Sequence, residues 1–198
     1  MGDIKSAFEI AMEKANRIED ATPDERLRWK FVPKGEQLAA KFLKDDVNLL
    51  TDINAYKEEE RKYVVHGATE VLARSIDLPR NDAIKKANRK AMDGLKLIKK
   101  DKSGVENIYS KIRYVFNHYT EQGEQQRKQA HEQLKVQFAA KLQQAMQQQM
   151  GANARMPPPA NIERHPQFQD EWRRVLTQIE HQYIEHLNEY RRELIDIK

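Results

Sequence analysis

Residues 109–145 carry a repeat of mostly apolar side chains, and its length constrains the fold more than any other feature of the sequence. The repeat has ten intervals over 36 residues, so its mean spacing is 3.6, the period of a straight α-helix rather than of a strict heptad coil. A helix over residues 104–150 would be about 70 Å long. The repeat positions are Tyr109, Ile112, Phe116, Tyr119, Gly123, Gln126, Ala130, Leu134, Phe138, Leu142 and Ala145.

Glutamines are frequent in the second half of this predicted helix and could instead mark a disordered, low-complexity tract. Leu134, Phe138 and Leu142 keep the helical spacing through that half, and glutamine is a good helix former. We therefore expect the helix to continue to Met150.

A second amphipathic segment follows three prolines and predicts a helix over residues 166–198, about 50 Å long. We predict that residues 104–198 form an antiparallel, coiled-coil-like helical hairpin with a Pro-rich bend at 151–165. That bend is longer than the two to eight residues that antiparallel neighbours usually need, so the last helix could equally dock on a second copy of the chain. Its apolar stripe consists of Phe168, Trp172, Leu176, Ile179, Tyr183, Leu187, Tyr190, Leu194 and Ile197.

The N-terminal part, residues 1–103, is predicted to be a helical bundle. Five apolar residues within 4–18 recur at alternating spacings of four and three, which indicates a first helix. Thr22 is then the predicted N-cap of a second helix, and Pro23 is its first helical residue. Glu25 stands at the position that completes a capping box with Thr22.

Pro33 and Gly35 are predicted to end this second helix, because proline disfavours helix at the preceding residue and glycine accepts turn dihedrals. From Glu36 an apolar seam continues towards Leu78 and crosses a polar run at 57–62. Either one long helix passes through that run or two helices meet there. The run contains no Gly, Pro or Asn, so we predict one helix.

The next helix is predicted from Asp82 to about Lys100, with Asn81 as its N-cap. Ser103 and Glu106 have the spacing of a capping box for the long helix that follows.

The composition agrees with an all-α fold. Charged residues make up 33% of the chain, whereas Gly and Pro number only seven each. There is no cysteine, which excludes disulfides, thiolate catalysis and Cys-ligated zinc. The N-terminus has no apolar signal region, and the chain nowhere approaches 18 consecutive apolar residues, so we expect a soluble cytoplasmic protein that does not enter membranes.

Motifs of known catalytic and cofactor sites are missing from the sequence. It has no dinucleotide fingerprint, no Gly-Lys-Ser/Thr phosphate loop and no Gly-x-Ser-x-Gly motif. The spacings of His and Glu match neither a zinc-protease helix nor a di-iron bundle. We therefore expect no catalytic residue, no metal and no cofactor, and a protein that is not an enzyme.

The group that most resembles a reactive site consists of Glu180, His181, Glu185 and His186. His181 and Glu185 lie one helical turn apart and could share a metal or a proton, but two residues on one helix make an incomplete site. We interpret the group as a solvated face that includes an i to i+4 pair. His118, which has aromatic neighbours in the sequence, is interpreted as a partly buried histidine rather than a catalytic base.

A local excess of positive charge marks the predicted helix at 82–100. Residues 80–102 hold nine basic and three acidic residues, whereas the rest of the chain holds 26 basic and 28 acidic. This face could bind phosphates or acidic partners, or it could only solvate the helix. Lysine outnumbers arginine and no aromatic residue is interleaved, so any nucleic-acid binding should be weak and non-specific. The candidate contacts are Lys85, Lys86, Arg89, Lys90, Lys96, Lys99 and Lys100.

The stripe on the last helix is a candidate self-association surface. The facing stretch of the long helix is rich in glutamine, so we expect it to cover the stripe only in part. Either the N-terminal bundle or, more simply, a second hairpin related by twofold symmetry would complete the cover, so we predict a homodimer, with another protein as a possible partner. The candidate residues are Trp172, Leu176, Ile179, Tyr183, Leu187 and Leu194.

Residues 4–25, "IKSAFEIAMEKANRIEDATPDE", combine an amphipathic segment with a Thr-Pro cap. In this they resemble small helical bacterial proteins that belong to families of unknown function. The resemblance covers about a tenth of the chain. It implies an intracellular bacterial protein and carries no activity or site residues with it.

These patterns favour a non-enzymatic helical interaction or scaffold protein that self-associates through its C-terminal hairpin. The alternative is a non-sequence-specific module that binds nucleic acid or another polyanion through the basic helix at 82–100.

Overall fold

A computed structural model describes residues 6, 21–45, 47–150 and 161–197, of which 87% are helical and none lies in a strand. The prediction of an all-α fold is therefore confirmed. The first predicted helix, within residues 4–18, lies outside the described residues except for Ser6.

The described residues form six α-helices and one 3₁₀ turn. In chain order these are α1 (Pro23–Lys44), α2 (Leu49–Asn54), α3 (Glu58–Ser75), α4 (Asp82–Ile98), α5 (Lys102–Met150), the 3₁₀ turn Ile162–Arg164, and α6 (Pro166–Asp196).

Contacts divide the described residues of the chain into two compact units. The first unit contains those of Met1–Ile76, Lys86–Glu106 and Arg191–Lys198. The second unit contains those of Asp77–Lys85 and Asn107–Tyr190. The boundary proposed at residue 103 from the sequence stays a prediction.

Helix α1 begins with the capping box that the sequence indicates. The Thr22 backbone N–H donates to Glu25 Oε2 at 2.8 Å, and the Glu25 N–H donates to Thr22 Oγ1 at 3.3 Å. Pro23 occupies the first helical position, where its missing N–H costs no helical hydrogen bond.

The prediction that this helix ends at Pro33 and Gly35 is wrong, because α1 continues through both residues to Lys44. Its buried face packs against α3 at very short range. A Cβ added at Gly35 would lie 2.0 Å from the Val64 carbonyl oxygen, and one at Gly67 would lie 2.1 Å from the Val32 carbonyl oxygen. Each helix therefore places a glycine against the backbone of the other, an arrangement that we call the glycine crossing. Its close packing compensates for the loss of the helical hydrogen bond that Pro33 cannot donate.

The prediction of one helix from Glu36 towards Leu78 is also wrong. Helix α1 ends at Lys44, α2 is a separate short helix, and α3 begins inside the polar run. Three glutamates occupy the first turn of α3, where the helix dipole favours negative charge. Arg61 Nη2 donates to the Asn54 and Tyr56 carbonyls at 3.3 and 3.0 Å, which satisfies the end of α2.

The start of α4 is confirmed and that of α5 is corrected. The Ile84 N–H donates to Asn81 Oδ1 at 2.9 Å, so Asn81 is the N-cap of α4. At α5 the Gly104 N–H donates to Asp101 Oδ1 at 2.9 Å. The predicted cap, Ser103, therefore lies inside the first turn, because the carboxylate of Asp101 caps the helix two residues earlier.

Helices α5 and α6 run antiparallel within the second unit. The Phe138 and Phe168 ring centroids are 5.6 Å apart, whereas Tyr119, earlier in α5, meets Tyr183, later in α6, at 5.3 Å. Leu134 completes a buried cluster with Phe138 and Phe168. Most of the predicted bend lies outside the described residues, and coiled-coil-like packing stays a prediction.

Candidate functional site

The basic residues of α4 and of the two positions that follow it, Lys99 and Lys100, differ widely in their availability to a ligand. Lys86, Arg89 and Lys100 are exposed. Lys85 forms an ion pair with its own helix at Asp82 (3.0 Å), and Lys96 forms one with Glu106 at 3.2 Å.

Two further lysines of this predicted set make contacts that reduce their availability. Lys90 Nζ donates to the Asp45 carbonyl at 3.2 Å and lies over the Phe42 ring. Lys99 is only 5% exposed, and its Nζ donates to the carbonyls of Ile195 (3.0 Å) and Ile197 at the end of α6. The described contacts therefore leave three of the seven predicted residues as freely presented charges.

The predicted self-association stripe divides into a buried part and a half-covered part. Tyr183, Leu187 and Leu194 are buried within the single chain. Leu176, Ile179 and Trp172, nearer the start of α6, are half-buried. Only this second group remains accessible to a partner.

The interpretation of Glu180 as part of a solvated face is wrong, because this half-buried residue is surrounded by a polar cluster in the second unit. Arg80 Nη2 donates to Glu180 Oε2 at 2.9 Å, and its Nε lies 3.2 Å from both carboxylate oxygens. Tyr119 Oη donates to Glu180 Oε1 at 2.6 Å. Arg80 also binds Asp77 at 2.8 Å, so one guanidinium joins two carboxylates.

The pKa values of this cluster follow from burial and hydrogen bonding. Burial alone raises the pKa of Glu180, but the hydrogen bonds from Arg80 and Tyr119 outweigh it and hold the pKa below its ordinary value. Burial, helped by the bond to Glu180, raises the pKa of Tyr119 to about 12. At neutral pH the cluster therefore holds an ionised carboxylate between a guanidinium and a neutral phenol.

Glu180 could have been recognised from its position in the stripe. It lies four residues after Leu176 and three before Tyr183, so it shares the apolar face of α6. A carboxylate on such a face requires a positively charged or hydrogen-bonding partner. The partner, Arg80, is 100 residues away in sequence, and no local pattern predicts it.

The remaining members of the predicted His/Glu group behave as a solvated face. His181 Nδ1 lies 3.6 Å from Glu185 Oε2, and His186 Nδ1 lies 3.6 Å from Glu189 Oε2, with all four side chains more than 60% exposed. The predicted His181–Glu185 pair is therefore confirmed as a surface contact.

His118 lies beside aromatic rings, as the sequence predicts, but the prediction that it is partly buried is wrong, because the residue is exposed. Its Nδ1 is 3.0 Å from Tyr183 Oη, and its ring centroid is 6.3 Å from that of Tyr114. Burial raises the pKa of the Tyr183 phenol. The His118 to Tyr183 contact therefore joins α5 to α6.

An open groove of about 490 Å³ lies beside the half-covered part of the stripe. The His131 ring makes T-shaped contacts with the rings of Phe168 and Trp172, with centroid distances of 5.6 and 4.8 Å. The guanidinium of Arg127 stacks on the Tyr119 ring at 4.2 Å, and its buried Nη1 has no hydrogen-bond partner. The groove is lined by Glu124, Arg127, Lys128, His131, Glu132 and Trp172.

Across the described ranges, no three His, Asp or Glu side chains gather into a group that could hold a metal ion. None of the helices in the same ranges combines the length and the apolar composition that crossing a bilayer requires.

A comparison with known families matches residues 50–196 to the group described as "Family of unknown function (DUF6657)". The match covers most of the chain. The chain belongs to this family. No curated protein and no solved structure gives a significant match.

Membership of DUF6657 confirms the expectation of a family whose function is unknown. The matched residues contain α3, α4, α5, nearly all of α2 and all of α6, and therefore the Glu180 cluster, the basic face of α4 and the groove beside Trp172. The N-terminal residues 4–25, which carried the resemblance in the sequence, lie outside the match.

Proposed function

We propose that the chain is a non-enzymatic helical interaction protein that self-associates through its second unit. The observation that carries this proposal is a half-covered stretch of the α6 stripe between the buried residues Phe168 and Tyr183. Trp172, Leu176 and Ile179 continue the line of Tyr183 and Leu187 but keep part of their surface in water.

The half-covered residues give a partner an energetic reason to bind. Full burial of an aromatic or branched aliphatic side chain contributes about 1.5–3 kcal/mol, so covering the remaining surface of three such residues supplies several kcal/mol. A twofold axis would place the same stretch of α6 on each copy, and each copy would cover the other.

The charges around this surface suit a second copy better than a polyanion. The groove beside Trp172 is lined by two cations, Arg127 and Lys128, and two carboxylates, Glu124 and Glu132. A mixed rim of this kind can pair with its own twofold image, whereas a polyanion would be repelled by the carboxylates.

The alternative function, polyanion binding by α4, has less support. Lys99 is buried against main-chain carbonyls, and Lys85, Lys90 and Lys96 already have partners. Three exposed cations make few phosphate contacts, and affinity for nucleic acid scales with the number of phosphates that are neutralised.

Light scattering of paired variants tests the proposal. Ile179→Glu places a charge in the half-covered stripe, whereas Gln178→Glu adds the same charge to the exposed neighbouring position. We expect the unmodified chain and Gln178→Glu to have twice the 23.3 kDa chain mass, and Ile179→Glu to have the chain mass. Circular dichroism of each variant checks that the helices remain folded.

The mass of the unmodified chain tests the proposal even if a variant does not fold. A mass of one chain at every accessible concentration contradicts self-association. Equal loss of the dimer in both variants would show that the stripe is not the interface.

A further inference from the structure

A cleft of about 620 Å³ lies within the first unit, within the usual range for small-molecule sites. One face of α3 lines it, with Arg61, Val65 and Thr69 at intervals of four residues. We call it the Thr69 cleft. Its other walls come from α2, the end of α4 and the end of α6.

The walls of the Thr69 cleft are mostly aliphatic. One of them, Leu50, is 39% exposed although it is a large apolar residue, whereas the neighbouring Ile53 is 2% exposed. The α3 face opposite the cleft is already occupied by the glycine crossing with α1. The aliphatic lining comprises Leu50, Ile53, Val65, Ile98, Ile195 and Ile197.

Positive charge dominates the polar part of the lining. Four cationic side chains, Arg61, Lys62, Lys99 and Lys100, line the cleft together with one carboxylate, Glu58, and of these cations Lys62 is also paired with Asp24 at 3.0 Å. Lys99 is almost fully buried, so an anion in the cleft would interact with it through a medium of low dielectric. The lining is therefore complementary to an anionic group attached to an aliphatic chain.

Two buried polar atoms of the lining residues have no hydrogen-bond partner. Thr69 is 1% exposed, and its Oγ1 makes no hydrogen bond, not even to its own helix. Arg61 Nε is likewise buried and unpartnered, although Nη2 of the same side chain caps α2. Buried polar atoms are normally satisfied, so these two atoms indicate a missing polar partner.

We propose that the Thr69 cleft binds an aliphatic carboxylate. The aliphatic walls take up the chain, and the cationic side chains attract the carboxylate. The structural roles of Arg61 and Lys99 as caps of α2 and α6 explain their positions, but they do not explain the unpartnered Thr69 hydroxyl or the exposed Leu50. The site lies in the first unit and does not depend on the proposed self-association.

Calorimetric titration of the full chain with sodium decanoate tests the site. Decanol lacks the charge and acetate lacks the chain, so both should bind much more weakly than decanoate. Each methylene contributes about 0.8 kcal/mol when buried, which is about fourfold in affinity, so octanoate, which is two methylenes shorter, should bind roughly fifteenfold more weakly than decanoate.

Two matched pairs of variants locate the binding. Leu50→Glu removes part of the wall and repels the carboxylate, whereas Leu97→Glu changes a similarly exposed leucine outside the lining. We expect at least a tenfold loss of decanoate affinity for the first and no change for the second. Lys100→Gln should lower affinity by up to about fivefold, while Lys86→Gln, outside the cleft, should not.

Several results would overturn the proposal. They are the absence of decanoate binding, equal affinity for decanol, or equal losses in Leu50→Glu and Leu97→Glu. Light scattering in the presence of decanoate shows whether the ligand changes the mass of the protein. If the mass is unchanged, the calorimetric result reports binding to the cleft independently of self-association.

Discussion

Glu180 illustrates how one residue can be both exceptional in its helix and stabilising for the fold. Its side chain is 16% exposed on an apolar face of α6, where an unpaired carboxylate would be costly. Arg80 and Tyr119 both donate to it, so the charged form is favoured despite burial. The second unit therefore depends on a polar contact between segments that are far apart in the sequence.

Replacing this carboxylate should lower stability in a pH-dependent way. We expect Glu180→Gln to reduce the free energy of unfolding by about 1–3 kcal/mol at neutral pH, because the hydrogen bonds to a charged group are lost. The folded-state pKa of Glu180 is below its ordinary value, so its contribution is present above the unfolded pKa of about 4.3 and is lost as the pH falls through the folded pKa.

Urea denaturation at several pH values measures this difference. The gap between the unmodified chain and Glu180→Gln should be constant from pH 6 to 8 and should narrow as the pH falls below about 4. Glu185→Gln, at an exposed contact with His181, should change stability by no more than about 0.5 kcal/mol. A gap that widens on acidification would contradict the stabilising role of the ionised carboxylate.

At the scale of elements, the crossing of α1 and α3 depends on two glycines. A Cβ at Gly35 or Gly67 would meet backbone carbonyl groups, which cannot rotate away as a side chain can. The two helices would have to separate, and the loss of packing exceeds the helix-propensity gain of about 1 kcal/mol for alanine over glycine.

We expect Gly35→Ala and Gly67→Ala each to lower the free energy of unfolding by at least about 2 kcal/mol. Gly123→Ala is the matched control, because a Cβ there would meet only the side chains of Arg127 and Tyr183, at 3.1 and 3.2 Å. Its effect should stay within about 1 kcal/mol of zero. Thermal melts of the three variants would decide, and equal stability of all three would rule out a tight crossing.

At the scale of elements, the sequence predicts features that depend on neighbouring residues but not those that depend on distant ones. The caps at Thr22 and Asn81 are local patterns, so their helices begin where predicted. Continuation through Pro33 depends on the helix opposite, which no spacing along α1 specifies. The same limit applies to Glu180, since its place in the stripe is visible but its partner Arg80 is not.

The exposed face of α4 gives a prediction for its alternative role. Any binding of duplex DNA should be weak, independent of sequence and lost as salt is added, because Lys86 and Arg89 supply only phosphate contacts. The double variant Lys86→Glu, Arg89→Glu should remove it in a fluorescence anisotropy titration. Binding that persists in this variant would place the site elsewhere.

For the whole molecule, the helices of the described residues predict a chain that is largely helical in solution. Far-ultraviolet circular dichroism should give at least roughly 70% helix, well above the share of about one third in ordinary domains. A helix content below about half, or a sheet spectrum, would contradict the fold.

Self-association through the half-covered stripe is the central claim at this scale, and the fluorescence of Trp172 reports on it directly. The other tryptophan of the chain, Trp29, is 49% exposed. The variant Trp29→Phe therefore leaves Trp172 as the only indole without disturbing a buried site. Emission and acrylamide quenching of this variant are measured over a dilution series. We predict that emission moves to shorter wavelength and quenching decreases as concentration rises, because a second copy covers the ring. A Trp172 signal that stays constant while light scattering reports a single chain throughout would contradict the claim.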